Sequence, residues 1–220
     1  PGNVAVSADE RVFVTLHPEA RPELKIVELI NGRMEPWPNL DFQGDTEAER
    51  RAFREVLSLR IDRQNRLWTL DTGFHGLHPG RLLAFDLETG EVLHEYEFPR
   101  EIAPPGSHLN DFQVSPDGRW IYIAEASSFG KRPALVVYDV ENRIARRRLD
   151  THHSVVADDY LPVVQGREMV AFGVVTIRPG VDSIALDKAG EWLYYAPVTE
   201  EYLYRIRAAY LRDPAVDEES

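Results

Sequence analysis

The chain has 220 residues, 43% of them hydrophobic and 28% charged, with a formal net charge of −12 at pH 7. That is the make-up of a globular protein long enough to bury a sizeable core, and the acidic balance, with no basic stripe against it, excludes a general nucleic-acid or anionic-membrane binder. The absence of cysteine excludes disulfides, thiolate metal centres and cysteine nucleophiles, and no apolar run approaches the roughly 18 residues of a membrane span.

Pro1-Gly2-Asn3 opens the sequence without a methionine, from which a removed leader and a secreted or periplasmic protein are expected. "GNVAVSADERVFVTL" from Gly2 then alternates up to Ser7, makes a polar turn and re-enters a β-rich run at Val12-Phe13-Val14; "KIVELINGRMEPW" follows as a second, worn hairpin. "DFQGDTEAERRAFREV", Asp41 to Val56, is polar and rich in helix formers, and predicts a short surface helix. "VLSLRIDRQNRLWTLDTG" from Val56 repeats the first hairpin around Asp62, and "RLLAFDLETGEVLHEYEF" supplies a strand, an Asp-x-x-Thr-Gly turn and a strand. "LNDFQVSPDGRWIYIAEAS" from Leu109 repeats it around Ser115, followed by "ALVVYDVENRIARRRL", whose Arg143, Arg146, Arg147 and Arg148 read as a solvated edge protecting an outer strand. Thr151 to Gly180 is a long connection with a small hairpin expected around Gly166, of the kind that overlies a binding face. "GVDSIALDKAGEWLYYAPV" from Gly180 repeats the unit around Asp187, "EYLYRIRAAYL" gives it a third strand, and "RDPAVDEES" is an acidic tail expected to fray.

The repeated unit is two hairpins in series, four antiparallel strands, and serial four-stranded meanders are the signature of a β-propeller. The reading is an all-β, single propeller domain over residues 1–220, with blades at about 2–38, 56–100, 108–150 and 180–212 and a connection at 151–179. Four units leave two apolar end faces, so the chain is expected to form part of a larger ring.

In a propeller the first strand of each blade flanks the central channel. The residue five before each Ser or Asp anchor sits on the loop leading into that strand: Gly2, Leu57, Asn110 and Asp182, with Asn3, Ser58, Asp111 and Ser183 one step later. Asn110 and Asp182 offer hard oxygen donors from different blades, of the type calcium, magnesium or manganese takes. The competing reading is turn chemistry, in which Asn110, Asp111 and Asp182 bond their own backbone. His75 and His78, in a Gly- and Pro-rich stretch, and His152-His153 read as loop residues. Asp71 and Glu125 end second strands and read as strand-end solvation. There is no Gly-x-Ser-x-Gly, phosphate loop, dinucleotide fingerprint or His-Glu-x-x-His.

"LNDFQVSPDGRWIYIAE" and "GVDSIALDKAGEWLYYAP" resemble blades of the gluconolactonase / senescence-marker-protein (regucalcin) superfamily, and "GNVAVS…VFVTLH", "LWTLDTG", "LVVYDV" and "DSIALD…LYYAPV" are most similar to its bacterial branch related to the insect yellow and major royal jelly proteins. The resemblance implies a six-bladed ring. It implies a divalent ion at the channel mouth, calcium first, held by Asn110 and Asp182. The third ligand of the lactonase branch, a glutamate, is replaced here by Gly2-Asn3, leaving Asn3 as the candidate donor. On that branch's pattern the chain is a lactone or ester hydrolase, the ion polarising the carbonyl and Asp182 helping to activate water; His108 and Asp111, flanking Asn110, are the candidate substrate contacts. The alternative implied by the yellow and royal jelly relatives is a non-catalytic propeller that binds a small molecule or a protein. Either way a small-molecule ligand is the expected partner, and nucleic acid and membrane insertion are not.

Overall fold

Alternation in the sequence becomes four antiparallel sheets in chain order. The computed structural model describes residues 1–44, 52–127, 129–159, 162–168, 170–171, 175–176 and 178–216. The first sheet holds β1 (Val4–Val6), β2 (Val12–Thr15), β3 (Ile26–Ile30) and β4 (Arg33–Pro36); the second β5 (Val56–Ile61), β6 (Arg66–Asp71), β7 (Arg81–Asp86) and β8 (Val92–Glu97). The third holds β9 (Leu109–Val114), β10 (Trp120–Glu125), β11 (Ala134–Asp139) and β12 (Ile144–Arg148). The long connection carries two two-stranded ladders, β13 (Val163–Val164) with β14 (Arg167–Glu168) around Gly166, and β15 (Val170–Ala171) with β16 (Val175–Thr176). The fourth sheet has three strands, β17 (Val181–Leu186), β18 (Trp192–Pro197) and β19 (Tyr204–Arg207), after which the chain turns into a short helix, α1 (Ala208–Arg212).

The Ser or Asp anchors exist because their side-chain oxygens close the turns. Ser7 Oγ accepts the Arg11 N–H at 2.9 Å, Asp62 Oδ1 the Arg66 N–H at 2.9 Å, Ser115 Oγ the Trp120 N–H at 2.8 Å and Asp187 Oδ1 the Glu191 N–H at 2.7 Å. Three residues after each anchor the backbone is left-handed, at Glu10, Asn65, Gly118 and Gly190. This is the geometry that brings two strands round a short loop, and it explains why Asn and Gly recur there.

Sheets pack face to face through three apolar layers. Phe13, Trp37 and Phe85 meet edge to face between the first and second sheets, with ring centroids 5.2 Å apart in each pair. Trp68, Leu82 and Ala84 of the second sheet pack with Phe112, Ile121 and Ile123 of the third, and Tyr122, Leu135 and Val137 of the third with Ile184, Leu193 and Tyr195 of the fourth. The first strands β1, β5, β9 and β17 lie side by side in that order, so the four sheets fan about one axis. The outer faces of the end sheets stay open: Val4, Val6 and Met34 of the first and Leu203 beside the fourth are each more than half exposed. Trp192 also lies toward the open side of the fourth sheet, stacked by the guanidinium groups of Arg205 and Arg207.

Two expectations need adjustment. Of the helix expected over Asp41 to Val56, Leu40–Phe42 is a single 3-10 turn and Val56 already belongs to β5, while residues 45–51 lie outside the described residues. The arginine run is not a uniformly solvated edge. Arg147 turns inward, with its side chain 6% exposed and bonded to Glu125 at 2.9 Å, because the end of β10 buries a carboxylate that needs a cation.

Candidate functional site

Sheet irregularity, rather than loop length, aims the site residues. The ladder between β5 and β6 skips from Val56↔Asp71 to Ser58↔Leu70, and that between β17 and β18 from Val181↔Pro197 to Ser183↔Ala196. The β9–β10 ladder shifts in the same place, between Leu109↔Glu125 and Phe112↔Ile123. A bulge at the start of β5, β9 and β17 therefore carries Leu57, Asn110 with Asp111, and Asp182, and bulges re-aim side chains that regular pleating would send to a sheet face. All four residues line one cavity of about 440 Å³ at the end of the axis.

Asn110 and Asp182, 72 residues apart in sequence, touch there: the Asn110 amide Nδ2–H donates to Asp182 Oδ1. Burial pushes the Asp182 carboxyl up to about 6, the charge of Asp111 adds to the rise, and the Asn110 hydrogen bond opposes it. Asp111 has its own partners. Arg60 Nη2 donates to both its oxygens, at 2.8 and 2.6 Å, and the Ser58 hydroxyl donates to Oδ1 at 2.7 Å. Arg60 Nη1 also donates to Asn3 Oδ1 at 2.9 Å. One guanidinium thus ties the first strands of two blades to the segment leading into that of a third, and Asn3, offered by the sequence as a cation ligand, has its oxygen turned to that cation.

His108 lines the cavity beside Asn110, its imidazole pushed down to about 4 by burial and then by its neighbours His75 and His17, so it is neutral at physiological pH. Both of those histidines are also on the cavity wall. His75, read from sequence as a surface loop residue, packs edge-on to His108 with ring centroids 4.6 Å apart and to Phe129 at 5.1 Å. Four successive residues, Gly73 to Gly76, have positive φ and wind a left-handed turn that carries it in. Left-handed backbone at non-glycine residues stores strain, which clusters at binding sites. The two glycines bracketing Phe74-His75 were the available sequence signal. A Cβ on Gly76 would stand 2.4 Å from the Pro104 carbonyl oxygen, at φ +74. Gly76→Ala is therefore expected to lose on the order of 1–3 kcal/mol of stability, read as a lower urea midpoint; an unchanged midpoint would show that the turn is not a fixed part of the wall. His152 and His153 lie elsewhere, packed on Ser154 and Tyr204.

The strand-end polar residues are clamps, not solvated ends. Thr15, Asp71 and Glu125 hold the last position of the second strand in three blades and are all buried. Each binds the segment leading into its own blade's first strand. Thr15 Oγ1 accepts the Asn3 N–H at 2.7 Å, Asp71 accepts the N–H groups of Arg54 and Glu55 at 2.7 and 3.1 Å, and Glu125 Oε1 accepts the His108 N–H at 2.9 Å and the Ser107 hydroxyl at 3.1 Å. Asn3, Glu55 and His108 are all cavity-wall residues, so the clamps fix the height at which the wall stands.

Comparison with known proteins agrees with this fold. Over 94% of this chain and 44% of theirs, solved structures of similar architecture include the Dos1 propeller (TM-score 0.53) and an auxiliary nutrient binding protein from Bacteroides ovatus ATCC 8483 (TM-score 0.54), both at 12% sequence identity, a likeness of fold alone. Among curated proteins, major royal jelly protein 6 of Apis mellifera is 26% identical over 185 residues, covering 79% of this chain and 39% of its own length, and major royal jelly protein 1 is 26% identical over 196 residues, covering 81% and 42%. The chain thus spans about two-fifths of the length of these relatives. The family model that matches, over residues 55–220, is that of the major royal jelly proteins. Of the resemblance carried by the blade sequences, the royal jelly part is what is matched: the chain belongs to the major royal jelly protein family.

Proposed function

We propose that the cavity at the end of the axis binds a small polar molecule without turning it over, the ligand presenting a hydrogen-bond donor or positive charge to Asp182. The observation that carries this reading is Asp182 itself. Its carboxylate is half-buried in the cavity wall, has an amide N–H for a partner and has no cationic side chain bonded to it among the described residues, so a partly desolvated acceptor facing the cavity is left for something else to satisfy. Neutral His108, Asn110 and the bulged backbone around it supply further polar contacts.

The hydrolase reading requires a divalent ion at Asn110, Asp182 and Asn3, and the donor set fits such an ion poorly. Asn3 Oδ1 already takes the Arg60 guanidinium, Asp111 is neutralised by the same group, and among the described residues no three His, Cys, Asp or Glu are gathered closely enough to hold a metal. Calcium takes six to eight oxygens, and Asp182 with Asn110 supplies only two side chains.

The test is calorimetric titration of the parent and Asp182→Asn with a panel of polyols, small amines and lactones, and with calcium. Saturable binding of a panel member, lost in Asp182→Asn and without turnover, is the expected result. Binding indifferent to Asp182→Asn, or a stoichiometric calcium site with Kd below about 1 mM accompanied by lactone hydrolysis, would overturn the reading in favour of the metal-dependent hydrolase.

A further inference from the structure

Behind the wall that Pro18 and Glu55 share with the axial cavity lies a second cavity of about 250 Å³. Its floor is apolar, from Leu16, Pro22, Val56 and the part-exposed ring of Phe74. Arg21 and Arg54 also line it. Arg21 bonds through its backbone N–H to the Pro18 carbonyl, and Arg54 through its backbone N–H to Asp71; among the described residues neither guanidinium has an ion-pair or hydrogen-bond partner. Two arginines without a charged partner thus border one apolar-floored cavity in a chain of net charge −12, Arg54 standing between it and a larger cavity along β8 lined by Glu95 and Glu97. The nearby Lys25 ammonium donates to the Pro22 carbonyl at 2.8 Å, and the Glu55 carboxylate on the shared wall takes the Thr72 hydroxyl.

We propose that this cavity is a separate ligand site for a small organic anion with an apolar body, an aryl- or alkylcarboxylate. The body lies against Phe74, Val56 and Leu16, and the carboxylate meets Arg21 and Arg54. A planar guanidinium fits a carboxylate through paired N–H donors and is less strongly hydrated than an ammonium, so the contact is both directional and cheap to desolvate. The cavity is below the usual size of drug-like sites, which suits one ring with a short arm. The site does not depend on the axial cavity's being occupied.

Phenylacetate is the probe, with phenylacetamide as its neutral isostere, titrated by calorimetry and by ligand-observed NMR. Phenylacetate is expected to saturate, and phenylacetamide to bind at least roughly tenfold more weakly, the loss of one charged hydrogen bond. Arg21→Gln and Arg54→Gln, on exposed and half-buried side chains, are each expected to weaken phenylacetate roughly tenfold, and raising the salt to weaken it further. Phe74→Gly removes the ring at a residue whose φ of 52° glycine adopts freely, so the fold is not burdened while affinity falls. Asp182→Asn is expected to leave phenylacetate binding unchanged. No saturable binding, or binding that survives both arginine replacements, overturns the proposal while leaving the axial site's own test untouched; loss of phenylacetate binding in Asp182→Asn overturns it too, by placing the anion at the axis.

Discussion

Replacing Glu125 with alanine is expected to lower the unfolding free energy by about 3–5 kcal/mol, the range for deleting one partner of a buried ion pair, and the melting temperature by on the order of 10 °C. The carboxylate is wholly buried, and it is kept tolerable by the Arg147 guanidinium at 2.9 Å, the His108 N–H and the Ser107 hydroxyl. Burial raises its pKa and these partners oppose the rise, Arg147 most. Without it, Arg147 retains Asp150 and the Ile102 carbonyl, which places the loss toward the lower end of the range. The His108 N–H retains nothing, and a buried unpaired donor alone costs about 1–3 kcal/mol. Glu125→Gln keeps an acceptor for that N–H and is expected to lose less. Urea midpoints of the parent and the two variants give the order directly. An alanine variant within about 1 kcal/mol of the parent would mean that the clamp does not hold the blade.

The parts of this molecule that were legible in sequence are those with a local cause. An anchor hydroxyl or carboxylate that bonds the N–H across its own turn leaves a Ser or Asp at a fixed place, and four such places, at Ser7, Asp62, Ser115 and Asp187, were enough to read the sheets and their order. Counting back from those anchors also brought Asn110 and Asp182 to one axis, since equivalent positions in sheets that fan about a line must converge. What sequence did not disclose is non-local. His75 reaches the cavity through a left-handed turn whose close contact is with Pro104, beyond the end of its own sheet. Arg60 belongs to no motif in the sequence, yet it bridges Asn3 and Asp111, 57 and 51 residues away. Asp71 and Glu125 were visible as strand-end carboxylates, but burial decides whether such a group is solvated or clamped, and it follows from the entry segments at Arg54-Glu55 and Ser107-His108 folding back onto the strand ends.

Asp182→Asn is expected to be more stable than the parent at pH 7 by about 1–2 kcal/mol, and equal to it near pH 4. In the folded chain the carboxyl titrates near 6, against an ordinary value of 3.8. Between those values the native state holds more protons than the unfolded state, so unfolding free energy falls as pH rises through the window. A displacement of about two pH units sets a ceiling of about 3 kcal/mol, reduced because the cavity is partly open to water. Glu125, with its raised pKa, and Asp9, Asp86, Asp117 and Asp139, with lowered ones, also titrate, but they are common to parent and variant and cancel in the difference. Urea midpoints of both proteins from pH 4 to pH 7 measure that difference. A gap that does not change with pH, or a variant less stable at pH 7, would remove the buried charge from the account. A residue that weakens the fold at neutral pH is held for something other than folding. A ligand that donates to Asp182 relieves the same penalty that the asparagine removes, so stabilisation by ligand and stabilisation by substitution draw on one group and are not expected to add.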